Sequence, residues 1–245
     1  MSKAVKSVTR AVTGVFDAVL KPVQKVIGKL FGVPDLPSGG AGNSASELKQ
    51  IIRSSKEPAR YVFGHIGVGG LQLWAQEEDG DQTEGEELYQ VFAISEGELQ
   101  SLDNVYLDQS PISEAGDRAS FALLKSPTIA DPYLLANSPG WQSSMIGRGL
   151  SAARLTLRYD PDYFSSGLPT PLFEVHGRND IYDPRTETSG YSDNVALVTL
   201  WYIRNRLDVP DDEILWESFI EAANICDEVI TNPDGSTEQR LHNLN

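Results

Sequence analysis

Between Arg60 and Asp183 the chain runs in short stretches that alternate apolar and polar residues, and beyond Asn194 the apolar spacing lengthens to that of a helix. That segregation is the strongest constraint the sequence carries. A block of strands followed by a block of helices points to an α+β protein in which the strands form an antiparallel sheet or barrel. The strand-like runs are "RYVFGHIGVGGLQLWAQEE", "ELYQVFAISEG", "QSLDNVYLDQSPI", "SAARLTLRYD" and "TPLFEVHGRNDIYD", rich in β-branched and aromatic residues. Gly64, Gly67, Gly69 and Gly70 are expected to mark bends or bulges. Residues 114–150 read as irregular, with proline and glycine throughout. The expectation is a barrel-like, antiparallel β-rich domain over 58–190, a helical hairpin over 191–230 and a polar tail over 231–245.

In the helical block, Asn194 to Leu207 places Val195, Val198 and Trp201 on one face, with Ser192 or Asp193 as the N-cap. The next helix is expected to start at Pro210, followed by three acids that suit the positive helix end. Its buried stripe would be Trp216, Phe219, Ile220, Ala223 and Cys226.

The charge is unevenly spread. Of a net −15, residues 1–31 hold six basic groups against Asp17 alone, a net +5, so the rest of the chain carries −20. Within that basic segment Val5, Val8, Val12, Val15, Val19, Val23, Val26 and Leu30 recur every three or four residues, an amphipathic arm over 1–33 with a break expected at Pro22. Such an arm suits packing on a neighbouring subunit or contact with a bilayer surface. A Pro/Gly/Ser-rich linker and lead-in occupies 34–57.

These features exclude several classes of function. A strongly acidic body lacks the basic footprint that phosphate backbones require. Cys226 is the only cysteine, so there is no internal disulfide, and with three scattered histidines no zinc-type cluster can be assembled and no metal site is expected. "HIGVGG" lacks the context of a phosphate-binding loop. "DGDQTEGEE" has Glu84 where a calcium loop needs glycine. There is no GxSxG and no distinguishable acid pair. The reading is of a non-enzymatic chain with no cofactor.

One stretch stands out: "HGRNDIYDPRTETSGYSDNVALVTLWYI", His176 to Ile203. A strand leads into an Asp-Pro turn, then a capped helix. Arg178 or Arg185 is placed to pair with Asp180 or Asp183 and stiffen a strand-to-helix junction. The expected clasp comprises Tyr182, Asp183, Pro184, Arg185, Tyr191, Ser192, Asp193 and Asn194.

This segment resembles one in the tail tip attachment, or central hub, protein J family of lambda-like tailed bacteriophages. The family pattern is close to G-x-x-(I/V)-Y-D-P-R-T-G-x-x-x-(W/Y)-S-D-N-P-A-L. Gly177, Tyr182, Asp183, Pro184, Arg185, Thr186, Tyr191, Ser192, Asp193, Asn194, Ala196 and Leu197 match it. Glu187 replaces a common glycine and Val195 a common proline. "RYVFGHIGVGGLQLWA", "VFAISEGELQSLDNVYLDQSPI" and "WESFIEAANICDE" resemble further family segments in the same order, so the resemblance spans about residues 50–235. It implies a structural protein of the virion tail tip or baseplate, made in the host cytoplasm. The implied assembly is a homotrimer around the DNA channel, with other tail proteins as partners. DNA would pass the acidic lumen without specific binding. Family members continue into fibronectin-like and receptor-binding parts, which are expected here in another chain or not at all. The basic arm departs from the family's type member and would line the lumen, plug it or touch the host membrane.

Overall fold

The computed structural model describes residues 60–79, 84–231 and 236–239. The arm bearing Val5 to Leu30, the linker, and the tip of the "DGDQTEGEE" loop lie outside the described residues.

Eight strands form two four-stranded antiparallel sheets. In the first, β2 (Leu71–Glu77), β3 (Glu87–Glu96), β7 (Leu150–Arg158) and β6 (Ala119–Lys125) lie in that spatial order. The second contains β1 (His65–Val68), β8 (Pro171–Arg178), β4 (Leu99–Leu107) and β5 (Ser110–Pro111). The architecture is α+β, but the expected barrel does not close among the described residues. The reason lies at Gly97, which has φ +79° and lets the chain leave β3 and enter β4 of the other sheet. A side chain there would run into the guanidinium of Arg178, so the crossing needs glycine twice over.

The sheets share one apolar core. Leu88, Phe92 and Ile94 of β3 and Leu155 and Leu157 of β7 meet Leu99 and Val105 of β4 and Phe173 and Val175 of β8. The Phe92 and Phe173 rings sit 5.4 Å apart across the sheet interface. Each such side chain contributes about 1.5–3 kcal/mol through burial.

Residues 114–150, read as irregular from sequence, contain ordered elements. A 3-10 turn at Ile112–Arg118 leads into β6, and α1 (Pro132–Asn137) caps the outer face of the first sheet. "ASFALLK" hides its period because Phe121 and Leu123 face the central core while Leu124 faces the outer cluster. Asp131 caps α1 by accepting from the Leu134 backbone N at 2.9 Å, with Pro132 in the first turn. Its carboxylate also receives Arg154 of β7 at 2.9 and 3.1 Å, which ties the helix to the sheet.

After β8 come the short strands β9 (Ile181–Asp183) and β10 (Thr188–Gly190), then α2 (Val195–Arg206) and α3 (Trp216–Cys226). Four expectations are corrected here. The N-cap of α2 is Asn194, because its Oδ1 reaches the backbone N of Ala196 and Leu197 at 3.1 and 3.3 Å. The acids after Pro210 form a single 3-10 turn, Asp211–Glu213, and α3 begins only at Trp216. The face of α2 is also rotated from the expected one. Ala196, Leu197, Leu200 and Trp201 are buried, while Val195 is exposed. The cause is Trp201, whose ring meets Tyr61 and Phe63 at 5.6 and 5.2 Å and sets the helix rotation. In α3, Ala223 and Cys226 are buried and the rest of the expected stripe is half-buried. The tail, read as a loop, pairs β11 (Val229–Thr231) with β12 (Thr237–Gln239). No helix among the described residues is long and apolar enough to cross a membrane.

Candidate functional site

The polar stretch singled out in the sequence forms the junction between β8 and the two helices. Gly177 permits it, since a side chain at that position would collide with the backbone of Val62 and Phe63. Directly after it, Arg178 is 8% exposed despite its charge. Its Nε and Nη2 donate to Asp180 at 2.8 and 2.5 Å, and Nη1 donates to the Glu96 carbonyl at 2.7 Å. The guanidinium also lies 4.3 Å from the Trp201 ring centre. Every face of this buried cation is therefore matched. Burial pushes the Asp180 carboxyl up, but the hydrogen bonds and charge of Arg178 outweigh it and hold the group below its ordinary value.

A second pair sits in the Asp183-Pro184-Arg185 turn. Asp183 Oδ1 accepts from the Arg185 backbone N at 2.9 Å, and its carboxylate takes Arg185 Nε at 2.9 and 3.1 Å and Nη2 at 2.8 Å. These bonds, with burial opposing them, hold the Asp183 carboxyl below its ordinary value. Arg185 Nη1 then reaches Asp227 at 2.8 Å and Asn224 at 3.2 Å, at the end of α3. One arginine thus joins the β9–β10 turn to the second helix. Glu187 closes the turn by donating its backbone N to the Asp183 carbonyl at 2.8 Å, in the left-handed region at φ +58°. The turn keeps its shape without the glycine common in the resembling family.

Asn194 completes the junction. Besides capping α2, its Nδ2 donates to the Ala223 carbonyl at 3.0 Å and to Asp227 Oδ1 at 2.8 Å. Its own backbone N donates to Ser192 Oγ at 3.2 Å. Both amide ends are used, at 2% exposure. Tyr182 meets Trp216 edge-on at 6.1 Å, with Arg204 over both rings. Pro184 borders the same shallow groove. Tyr191 stands edge-on to His176 at 5.0 Å, and burial together with the charges of Asp193 and Asp103 pushes its phenol up. The charged and amide groups of Arg178, Asp180, Asp183, Arg185 and Asn194 are directed at one another, at the Glu96 carbonyl and at the end of α3.

Sequence spacing missed a second constellation. The histidines are far apart in the chain, yet the pairing of β1 with β8 sets His65 opposite His176. Their rings stack 4.4 Å apart at 12°. β4 lies on the other side of β8, and its register slips between Leu102 and Asn104, so Asp103 is the extra residue of a β-bulge. That bulge turns the Asp103 carboxylate onto the histidine pair, with Oδ2 at 2.5 Å from His176 Nδ1 and 3.9 Å from His65 Nε2. Glu174, two residues before His176 on the same face, places Oε1 3.0 Å from His65 Nε2. The expectation that the histidines cannot cluster is therefore overturned for two of the three. A cross-strand reading of "HIGV" against "FEVH" would have found the pair, had the register been known.

The molecule is thus defined as an α+β protein of two antiparallel sheets joined to a helical pair by a polar junction. No protein-family model matches the chain, and no curated protein matches it. Among solved structures it is similar to a chain from the "Virion of native gene transfer agent (GTA) particle", at 19% identity and a TM-score of 0.41. The match covers 73% of this chain and 40% of that one, so it spans well under half of the other chain's length. A likeness this slight leaves fold and function to be argued from the molecule itself.

Proposed function

We propose that this chain is a non-enzymatic structural protein of a phage-like virion, a component of the tail tip or central hub. In this reading the two-sheet body assembles, as a homotrimer, around the channel through which DNA passes, and it links the tail tube to receptor-binding parts carried by other tail proteins. The observation that supports it best is how the hub-like segment is used. Arg185 and Asn194, both within the resembling pattern, direct their polar atoms to Asp227, Asn224 and Ala223 of the second helix and its end, and Asp183 holds Arg185 in place for that contact. A pattern whose residues brace one element against another suits a part that must hold shape under load.

Tyr182, Asp183, Pro184, Arg185, Tyr191, Ser192, Asp193 and Asn194 are accordingly assigned as a structural clasp between the β-rich body and the helical pair. The acidic body fits a channel wall that repels phosphate, so that DNA slides without sticking. The basic arm supplies either the trimer contact or, once released, contact with the host membrane.

Light scattering after size exclusion, on the full chain and on residues 34–245, tests the assembly. A trimer is expected in the full chain. If only the full chain is trimeric, the arm is the assembly element. A monomer in both, together with leakage of anionic liposomes caused by residues 1–33, would replace the hub by a membrane-active ejection protein.

A further inference from the structure

We propose that His65, His176 and Asp103, with Glu174 as fourth donor, form a binding site for a divalent first-row transition ion, zinc being the ion that fits the donor set best. The inference does not depend on the virion reading.

The donors come from three adjacent strands of one sheet and point to its outer face. One ring nitrogen of His65, one of His176 and one Asp103 oxygen all lie within 4.8 Å of one another. An ion about 2.0–2.2 Å from each donor holds a tetrahedral set about 3.3–3.6 Å apart. The separations of 2.5 Å from Asp103 to His176 and 3.9 Å from Asp103 to His65 lie on either side of that range and each needs side-chain adjustment of about 1 Å or less, while Glu174, 3.0 Å from His65, would have to turn in as the fourth donor. Two imidazoles with carboxylates suit zinc and its transition-metal neighbours. They suit magnesium and calcium poorly, since these prefer all-oxygen shells.

Two features distinguish this group from an ordinary surface ion pair. First, each carboxylate has its outer oxygen held by a hydroxyl and its inner oxygen turned toward the histidines. Asp103 Oδ1 accepts from Ser101 Oγ at 2.6 Å, and Glu174 Oε2 accepts from Tyr106 Oη at 2.9 Å. Outer partners of this kind orient metal-ligating groups. Second, His65 Nε2 is buried and unpartnered by hydrogen bonding, although Glu174 Oε1 is 3.0 Å away. The distance is short but the alignment is wrong for a hydrogen bond. A common ion in front of both atoms would satisfy each. Tyr191 stands over His176 and shields one side of the group.

The consequence is structural. Among the described residues β1 is an edge strand, paired with β8 alone. An ion shared by His65, His176 and Asp103 would staple β1 and β4 to β8 and pin the edge at the point where the chain enters the sheet. Metal binding of this kind adds directly to the stability of the folded state.

The test uses the full chain, stripped with chelator and titrated with zinc by calorimetry. One zinc per chain is expected, with a rise in melting temperature that chelator reverses. Cobalt in its place should give the visible absorption of a nitrogen- and oxygen-ligated ion. His65→Gln, His176→Gln and Asp103→Asn should each weaken zinc binding by more than about tenfold, since even the loss of outer-shell partners costs ~10–100-fold. His242→Gln should leave binding unchanged. Circular dichroism in chelator checks that each variant folds; should a histidine variant unfold, Asp103→Asn and the cobalt spectrum decide. Absence of saturable zinc binding overturns the proposal. So does one-to-one binding that survives in folded His65→Gln and His176→Gln, which would place the ion on the acidic surface instead.

Discussion

The core between the two sheets and the junction between β8 and the helices hold the molecule by opposite means. In the core, Phe92, Leu155 and Phe173 are fully buried and make contacts without direction. In the junction, Arg178 and Asn194 are almost as buried, but each polar atom has a named partner. Apolar packing depends on volume, so shape-conserving exchange is tolerated. A buried polar network depends on which atom donates and which accepts, so an exchange that preserves shape can still break it.

The largest expected effect lies in the core. Phe92→Ala should destabilise by about 3–5 kcal/mol in denaturant unfolding, whereas Leu155→Met should cost under about 1.5 kcal/mol. Asn194→Asp puts the comparison to its sharpest test, because the two side chains are nearly isosteric. It would turn a carboxylate oxygen toward the Ala223 carbonyl and Asp227, and a loss of about 3 kcal/mol is expected. If Asn194→Asp melts like the parent, the contrast between the two regions fails. Arg185→Ala or Asp183→Ala should lower stability by about 1–3 kcal/mol, measured in the same way.

A smaller effect depends on pH. Burial, with the charge of Glu86, pushes the Glu77 carboxyl up to about 7 from an ordinary 4.5. The folded chain keeps this proton where the unfolded chain has lost it. Stability is therefore fully present below about 4.5 and declines as pH rises from there to about 7. Glu77→Gln should remove that slope and raise stability at pH about 8 by ~1–3 kcal/mol. The lowered carboxyls of Asp180 and Asp183 act with the opposite sign, below their ordinary 3.8, outside this interval. Equal melting curves of Glu77→Gln and the parent across the interval would contradict the assignment. Smallest of all, Glu187→Gly should stabilise by up to about 1 kcal/mol by relieving the left-handed strain in the clasp turn.

Much of the junction was legible in the sequence because its parts are local. Asp183, Pro184 and Arg185 are neighbours, and an aspartate accepting from the backbone two residues on is a turn that short-range chemistry dictates. The same holds for Arg178 with Asp180, two residues apart. The N-cap was misplaced by one or two residues because Ser192, Asp193 and Asn194 are all capping types. Only the approach of Ala223 and Asp227 selects the side chain that can donate as well as accept. α1 was missed although Asp131-Pro132 is a legible start signal, because six residues leave too short a period to read.

What the sequence determined alone is the block of strands followed by a helical pair, the alternation that makes most of the strands from Arg60 onward, and the turn that ends β9. These follow from contacts within a few residues. The division of the strands between two sheets, the rotation of α2 about Trp201 and the meeting of His65, Asp103 and His176 were decided only in three dimensions. Each depends on which strand lies beside which and in what register. Register is set by the burial of one whole face against another, not by the residues that it happens to bring together.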